Sequence, residues 1–267
     1  MEKTIVQQNS KRRPGNMLAV DLRRMFTSRY FYIMLGTAVV IPVLVLVMTT
    51  MMDGAVSVDP NTGAETTIEA FESVWQAIGA LPGASAGAGM SLTTMCNINL
   101  VYFLTAVLAG IFVCEDFRNG CCKNLFAVRS KKAGYIISKT LVILVGGGLM
   151  LLSFFTGAMV GGVISGLPFA LDSLSAGNIV LCMVSKILLM AVFAAVYVMM
   201  GIICKQKLWL AILLSLGVGM FLFNIIPMVT PLNATMLNVL LCLAGGVMFS
   251  VGLGFISKLI LQKRDIL

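Results

Sequence analysis

An all-α, polytopic membrane fold is what this sequence predicts, and three observations predict it. Hydrophobic residues fill 59% of its 267 positions, the mean hydropathy is +0.99, and apolar runs of spanning length recur along the chain. Lipid leaves an open strand edge with unsatisfied donors and acceptors, so helices are the expected spanning form. The apolar runs are continuous and lack period-two alternation, which argues against barrel strands.

The chain reads as a single transmembrane domain over 1–267 with six spans, at 31–52, 91–114, 135–162, 179–204, 209–226 and 237–261. Ahead of the first span, 16–32 sets Met17, Leu18, Met25 and Phe26 beside Arg23, Arg24 and Arg29, the pattern of an amphipathic interfacial helix. The first apolar run starts late and is of spanning length, so no cleavable signal peptide is expected. The 53–90 connection carries a turn at 59–63, then Phe71, Val74, Trp75 and Ile78 at helical spacing, which predicts a short amphipathic helix over 68–78. That helix is expected to rest on the headgroups with Trp75 as its anchor; a substrate receptor is the other reading. The Gly- and Ala-rich stretch 83–89 gives a flexible approach to span two.

Span three holds Gly146, Gly147, Gly148, Gly157, Gly161 and Gly162. The Gly157 to Gly161 spacing is the small-xxx-small pattern that lets helices approach closely. Packing is the expected role of these glycines, with a hinge at 146–148 as the alternative. Pro227 and Pro231, between spans five and six, are suited to ending helices. Lys186 lies inside span four, where a central charge costs roughly 2.5 to 3.5 kcal/mol on insertion scales. Snorkelling toward the outer headgroups is the expected placement; an inward Lys186 that contacts an anionic substrate group is the alternative.

Positive charge sets the expected orientation. Seven Lys and Arg precede span one, six (Arg118, Lys123, Arg129, Lys131, Lys132 and Lys139) lie in or beside the 115–139 insert, Lys205 and Lys207 separate spans four and five, and Lys258, Lys263 and Arg264 close the chain. The other three connections have none and carry Asp53, Asp59, Glu65, Glu69, Glu72 and Asp172 instead. Under the positive-inside rule both termini and the 115–139 insert are cytoplasmic. The net charge of +8 is thus a topology signal. No nucleic-acid partner is expected, because the charges are scattered over four juxtamembrane sites.

Chemistry is narrowed by what is missing. With no histidine in the chain, His-Glu metalloprotease motifs, Ser-His dyads and His proton relays are excluded. No catalytic residue and no metal site is expected. Cys121-Cys122 is open to metal or palmitate, but adjacent thiols without further ligands make a poor metal site, and structural thiols are the expected role of all seven cysteines. No disulfide is expected, since none falls in a clearly outer loop. A phosphate-binding Gly-x-x-x-x-Gly-Lys-Ser/Thr loop is also absent, so any ATP-driven work needs another subunit.

The insert has a helical period of its own. Phe117, Cys121, Leu125 and Val128 follow i, i+4, i+8, i+11 beside Arg118, Lys123 and Arg129. Two readings are open: a helix on the inner leaflet, held by anionic lipid, or one that docks on a cytoplasmic partner.

Here the sequence resembles the permease subunits of ABC transporters of the ABC-2 class. Their corresponding segment reads acid-acid-x-x-x-Gly-Thr, an apolar helix, Pro-x-x-Arg, and then a Lys opening the third span. Glu115 and Asp116 stand at the acids, Gly120 at the glycine, Lys132 at the basic position and Lys139 at the final lysine. Cys121 replaces the Thr, Arg129 the Pro, and Lys132 the Arg, whose planar fork lysine lacks.

The resemblance implies an exporter in the bacterial plasma membrane. Two permease subunits, identical or related, would pair above two copies of a separate ABC ATPase, which hold the ATP and Mg; this chain would carry no cofactor. Glu115, Asp116, Phe117, Arg118, Gly120, Leu125, Arg129 and Lys132 would form the coupling surface. Thr93, Thr94, Asn97, Asn99 and Thr105 in span two and Asn224 in span five would line the pathway or bond between helices. Residues 225–236 would be short re-entrant helices or an ordinary hairpin loop. The cargo class is an amphipathic peptide, antibiotic or lipid. A membrane scaffold or sensor that moves no substrate is the alternative function.

Overall fold

The computed structural model describes residues 15–58, 65–67, 71–79, 97–128, 132–171 and 174–263. Nine helices are found among them: α1 (Gly15–Thr27), α2 (Arg29–Met51), α3 (Leu100–Arg118), α4 (Cys121–Val128), α5 (Lys132–Ser165), α6 (Ala176–Cys204), α7 (Leu208–Phe223), the single turn α8 (Ile226–Val229) and α9 (Met236–Lys263). Two short strands, β1 (Val56–Val58) and β2 (Glu65–Thr67), pair antiparallel with Val56 opposite Thr67. Helices α2, α3, α5, α6 and α9 are long and apolar enough to cross a membrane, the construction of a membrane protein.

The fifth expected span, 209–226, becomes α7, an apolar helix of only 16 residues. At 1.5 Å per residue it covers roughly 24 Å, short of the ~30 Å hydrocarbon core. A turn at Asn224–Ile225 ends it, and Pro227 opens α8. By the same measure α5, with 34 residues, is roughly 51 Å long. It is therefore longer than a hydrocarbon layer is thick.

Helix α6 is the hub, packed against α3, α5, α7 and α9. Its residues 192–198 are buried on every face. A helix apolar all round belongs in the interior, whereas α2 and α9 leave most of their apolar side chains at least partly exposed. Helix α2 meets α5 through the glycine pair: a Cβ at Gly157 would run into the Val39 carbonyl and lie 2.8 Å from Pro42 Cγ, and one at Gly161 would lie 2.9 Å from Val43 Cα. The small-xxx-small spacing thus serves close helix approach. Helix α5 runs unbroken through the 146–148 triplet. Gly146 makes room for Met25 of α1 and Gly147 for Met190 of α6, so packing rather than a hinge is what the triplet provides.

The bundle has two distinct ends. At the basic end lie α1, α4, the Lys205–Lys207 turn and the last turns of α9, where Lys132 Nζ donates to the Leu261 carbonyl at 2.6 Å. At the opposite end, residues 71–79 do not form a surface helix. Residues 68–70 of that expectation lie outside the described residues, and Val74–Ala77 is a 3-10 turn with Phe71, Val74, Ala77 and Ile78 buried. Val74 fits against Gly162, the Ile98 amide donates to the Ala77 carbonyl at 2.9 Å, and Trp75 Nε1 donates to the Phe169 carbonyl at 3.2 Å. Apolar side chains spaced for a membrane surface have been taken into the protein's own core.

Candidate functional site

Two buried polar sites occupy the two ends of the bundle. The first lies where α1, α3 and α5 meet. Lys139 on α5 is wholly buried, and its Nζ lies 2.9 Å from Asp21 Oδ1 and 2.6 Å from Asp116 Oδ2. Ser138 Oγ donates to the other oxygen of Asp21 at 2.6 Å, and the Tyr135 hydroxyl donates to Asp116 Oδ2 at 3.2 Å. Arg24 of α1 donates to Asp116 Oδ1 and stands 3.7 Å from Glu115. The Phe112 ring completes the site, with Lys139 Nζ 4.0 Å from its centroid and Arg24 on it at 5.4 Å. Burial works against the charge on Arg24, but the hydrogen bond and charge of Asp116 outweigh it and raise the guanidinium pKa. Each buried charge therefore has a partner, the condition under which ions are tolerated inside a protein.

This joint revises the expected coupling surface. Asp116 and Phe117 are buried and Glu115 is half-buried, turned toward α1, while Arg118 stays exposed. The amphipathic stripe drawn through Phe117, Cys121, Leu125 and Val128 is broken, because the helix ends at Asn119 and the chain turns at Gly120 with φ +68°. Glycine alone holds that conformation without strain. The break puts Cys121 in solvent and Cys122 in the core. Leu125 and Phe126 pack partly buried, the latter 5.6 Å from Tyr135. Lys132 stacks on Phe126 as well as capping α9. Arg129 lies outside the described residues.

The thiol pair gives a direct check. Burial pushes the Cys122 thiol up to about 12, so at pH 8 it is protonated as well as shielded. Peptide-resolved alkylation with N-ethylmaleimide is expected to modify Cys121 at least roughly tenfold faster than Cys122; equal rates would show that the α4 packing is wrong.

The N-terminal helix is likewise more than interfacial. Met25 is 1% and Asp21 6% exposed, both against α5. Asp21 was absent from the expected site. Its signal was an acid four residues after Met17 and four before Met25, on the apolar face of an otherwise basic helix.

The second site surrounds Lys186. It does not snorkel: the side chain is 1% exposed, and Nζ donates to Asn99 Oδ1 at 2.9 Å and to Thr230 Oγ1 at 3.1 Å. The Tyr102 hydroxyl donates to the Lys186 carbonyl at 2.9 Å. Thr230 is placed by α8, whose Ile226 carbonyl accepts from its hydroxyl at 2.8 Å, and Cys182 Sγ lies 3.7 Å from the Thr230 carbonyl. The 225–236 segment is thus no open hairpin: Ile226, Thr230, Leu232 and Ala234 are buried, and Leu232 meets Gly79.

The other pathway candidates part company. Thr93 and Thr94 lie outside the described residues. Asn97 and Asn99 are buried beside the Lys186 end, with Asn97 Oδ1 accepting from the Asn99 amide at 3.0 Å. Thr105 is buried but bonded to Val101 of its own helix, and exposed Asn224 bonds to Met220 of its own. Missed in the sequence were Tyr197 and Ser215, whose buried hydroxyls have no partner among the described residues.

No protein-family model, curated protein or solved structure matches the chain.

Proposed function

We propose that the chain is the membrane-spanning subunit of an ATP-driven exporter of the ABC-2 kind. A separate ATPase docks on the 115–132 loop in the cytoplasm, and a second permease subunit completes the assembly. The cargo is an amphipathic peptide, antibiotic or lipid-like molecule, and the setting a bacterial plasma membrane.

The observation that carries this reading is the joint at the basic end. A short helix, α4, hangs between α3 and α5, and Lys139 ties both of those helices to α1 through Asp116 and Asp21. A push on α4 therefore cannot be absorbed by one helix alone. Packed interfaces with paired buried charges move as units, which is how a small displacement at a docking loop becomes a rearrangement of helices. The motif match of Glu115, Asp116, Gly120, Lys132 and Lys139 to the ABC-2 segment supports the same reading.

The test is copurification of the full-length chain with a nucleotide-hydrolysing subunit, followed by transport in proteoliposomes. Glu115→Gln is expected to keep hydrolysis while export falls roughly tenfold or more, the size of a typical coupling energy. Tight coupling in that variant overturns the role given to the joint. Failure to associate with any ATPase overturns the exporter and leaves the scaffold or sensor function.

A further inference from the structure

Lys186 presents a charge imbalance that the exporter reading does not use. It stands ten positions after Ala176, roughly 15 Å along α6. The ion pairs of Arg24 and Lys139 lie at the other end of the bundle. Around Nζ are two neutral oxygens, from Asn99 and Thr230, with the thiols of Cys182 and Cys242 close by. An ammonium has three donors and a full charge. Among the described residues two uncharged acceptors leave one donor and all of the charge unanswered, and an unpaired buried charge is among the most costly features a protein can hold.

What would complete the site is an oxyanion. Asn99 adds an amide whose NH2 can donate once its oxygen is released, whereas the one proton of the Thr230 hydroxyl is already given to the Ile226 carbonyl, so Thr230 is displaced rather than recruited. Lys186 and Asn99 could therefore both donate to a phosphate or carboxylate that takes the place of the Thr230 hydroxyl. We infer that Lys186 and Asn99 form a binding site for the single oxyanion of an amphiphile, and that its arrival displaces Thr230 and releases the 226–234 segment from α6. Release follows from competition: the anion takes the ammonium that now holds Thr230, and its full negative charge attracts that ammonium more strongly than a neutral hydroxyl does. The apolar surroundings of the site, Tyr102 and Phe193 with ring centroids 4.4 Å apart among them, suit the tail that accompanies such a headgroup. The binding site stands without the exporter reading; only the further step, that this oxyanion is the cargo's headgroup, rests on it.

Cys182 provides a built-in reporter, since it is fully buried with Sγ against the Thr230 carbonyl. The full-length protein in dodecyl maltoside would be titrated with dodecyl phosphate, dodecyltrimethylammonium and inorganic phosphate. Alkylation of Cys182 by N-ethylmaleimide would be followed by peptide mass spectrometry. Dodecyl phosphate is expected to raise the alkylation rate saturably by about fivefold or more, the cationic amphiphile not at all. Inorganic phosphate acting as well as dodecyl phosphate would identify a free oxyanion as the ligand; a stronger response to dodecyl phosphate identifies the amphiphile. Equal responses to the anionic and cationic amphiphiles, or no response to either phosphate, overturn the site.

Lys186→Gln should abolish the response, and a retained response overturns the proposal. Should that variant fail to fold, Thr230→Val decides. Removing the competing hydroxyl should shift the dodecyl phosphate midpoint by a few-fold to lower concentration, and an unchanged or higher midpoint overturns the proposal. None of these measurements needs an ATPase, so their failure and the failure of the exporter reading are separate results.

Discussion

Lys139→Met is expected to be the most damaging single substitution at the basic end of the bundle. The change removes one charge and leaves two: Asp21 keeps only the Ser138 hydroxyl, and Asp116 keeps Arg24 and Tyr135. Stranding a buried ion costs about 3–5 kcal/mol, which for a chain of this size corresponds to a fall of roughly 10 °C in Tm. Thermal unfolding of the full chain in detergent reads the loss. The specificity lies in a second variant. Asp21→Asn in the Lys139→Met background should recover part of the loss, because it removes the carboxylate with the poorest remaining partners. Single and double variants of equal stability would mean that the pair contributes little. A Lys139→Met protein as stable as wild type would remove the joint from the account of force transmission.

Gly157→Leu is expected to separate α2 from α5. The position has no room for even a Cβ, because the obstacle is the backbone carbonyl of Val39 rather than a side chain that can rotate away. Overpacking of this kind costs about 1–3 kcal/mol and more where backbone must move. The control is Gly217→Ala on α7, where an added Cβ meets nothing within 4 Å. There the substitution should be neutral or stabilising by up to ~1 kcal/mol, since alanine is the better helix former. Comparable losses at both positions would show that glycine content, rather than the α2–α5 crossing, sets stability.

The long apolar helices were legible because lipid imposes a simple rule: a spanning helix needs about twenty apolar residues in a row. That rule placed α2, α5, α6 and α9 within a few residues of their expected limits. It overreached at 209–226, where apolar character continues past the end of α7. Composition registers solubility in lipid; Asn224 and Pro227 stop the helix at 16 residues. The same limitation explains residues 71–78. Helical spacing of Phe71, Val74, Trp75 and Ile78 says that one face is apolar, and it cannot say whether membrane or protein will cover that face. The cavity that receives Val74 exists because Gly162 is on a helix more than eighty residues away.

Charge was legible as a pattern and hidden as a partnership. The distribution of Lys and Arg marks one end of the bundle from the other, and the described parts of α1 and α9 do lie at one end. Yet Asp116, read as half of an exposed acidic pair, faces inward because α1 brings Arg24 and α5 brings Lys139 to it. Nothing local to Glu115 and Asp116 reveals that. Lys186 is the mirror case. An isolated lysine near a helix end should snorkel if its neighbours are lipid; here Asn99 and Thr230, from segments eighty-seven and forty-four positions away, give it oxygens inside the protein.

By itself the sequence determined that this is a helical membrane protein, where most of its helices run, and which connections are basic. Those properties depend on the free energy of each segment against water or lipid, and are therefore local. Tertiary structure alone decided which polar groups face inward, how α1 joins the bundle, that the 71–79 and 226–234 segments close over its opposite end, and that α4 breaks away at Gly120. The reason is physical: a buried charge or a kinked loop is stable only against particular atoms contributed by distant segments, and their encounter is a property of the packed chain.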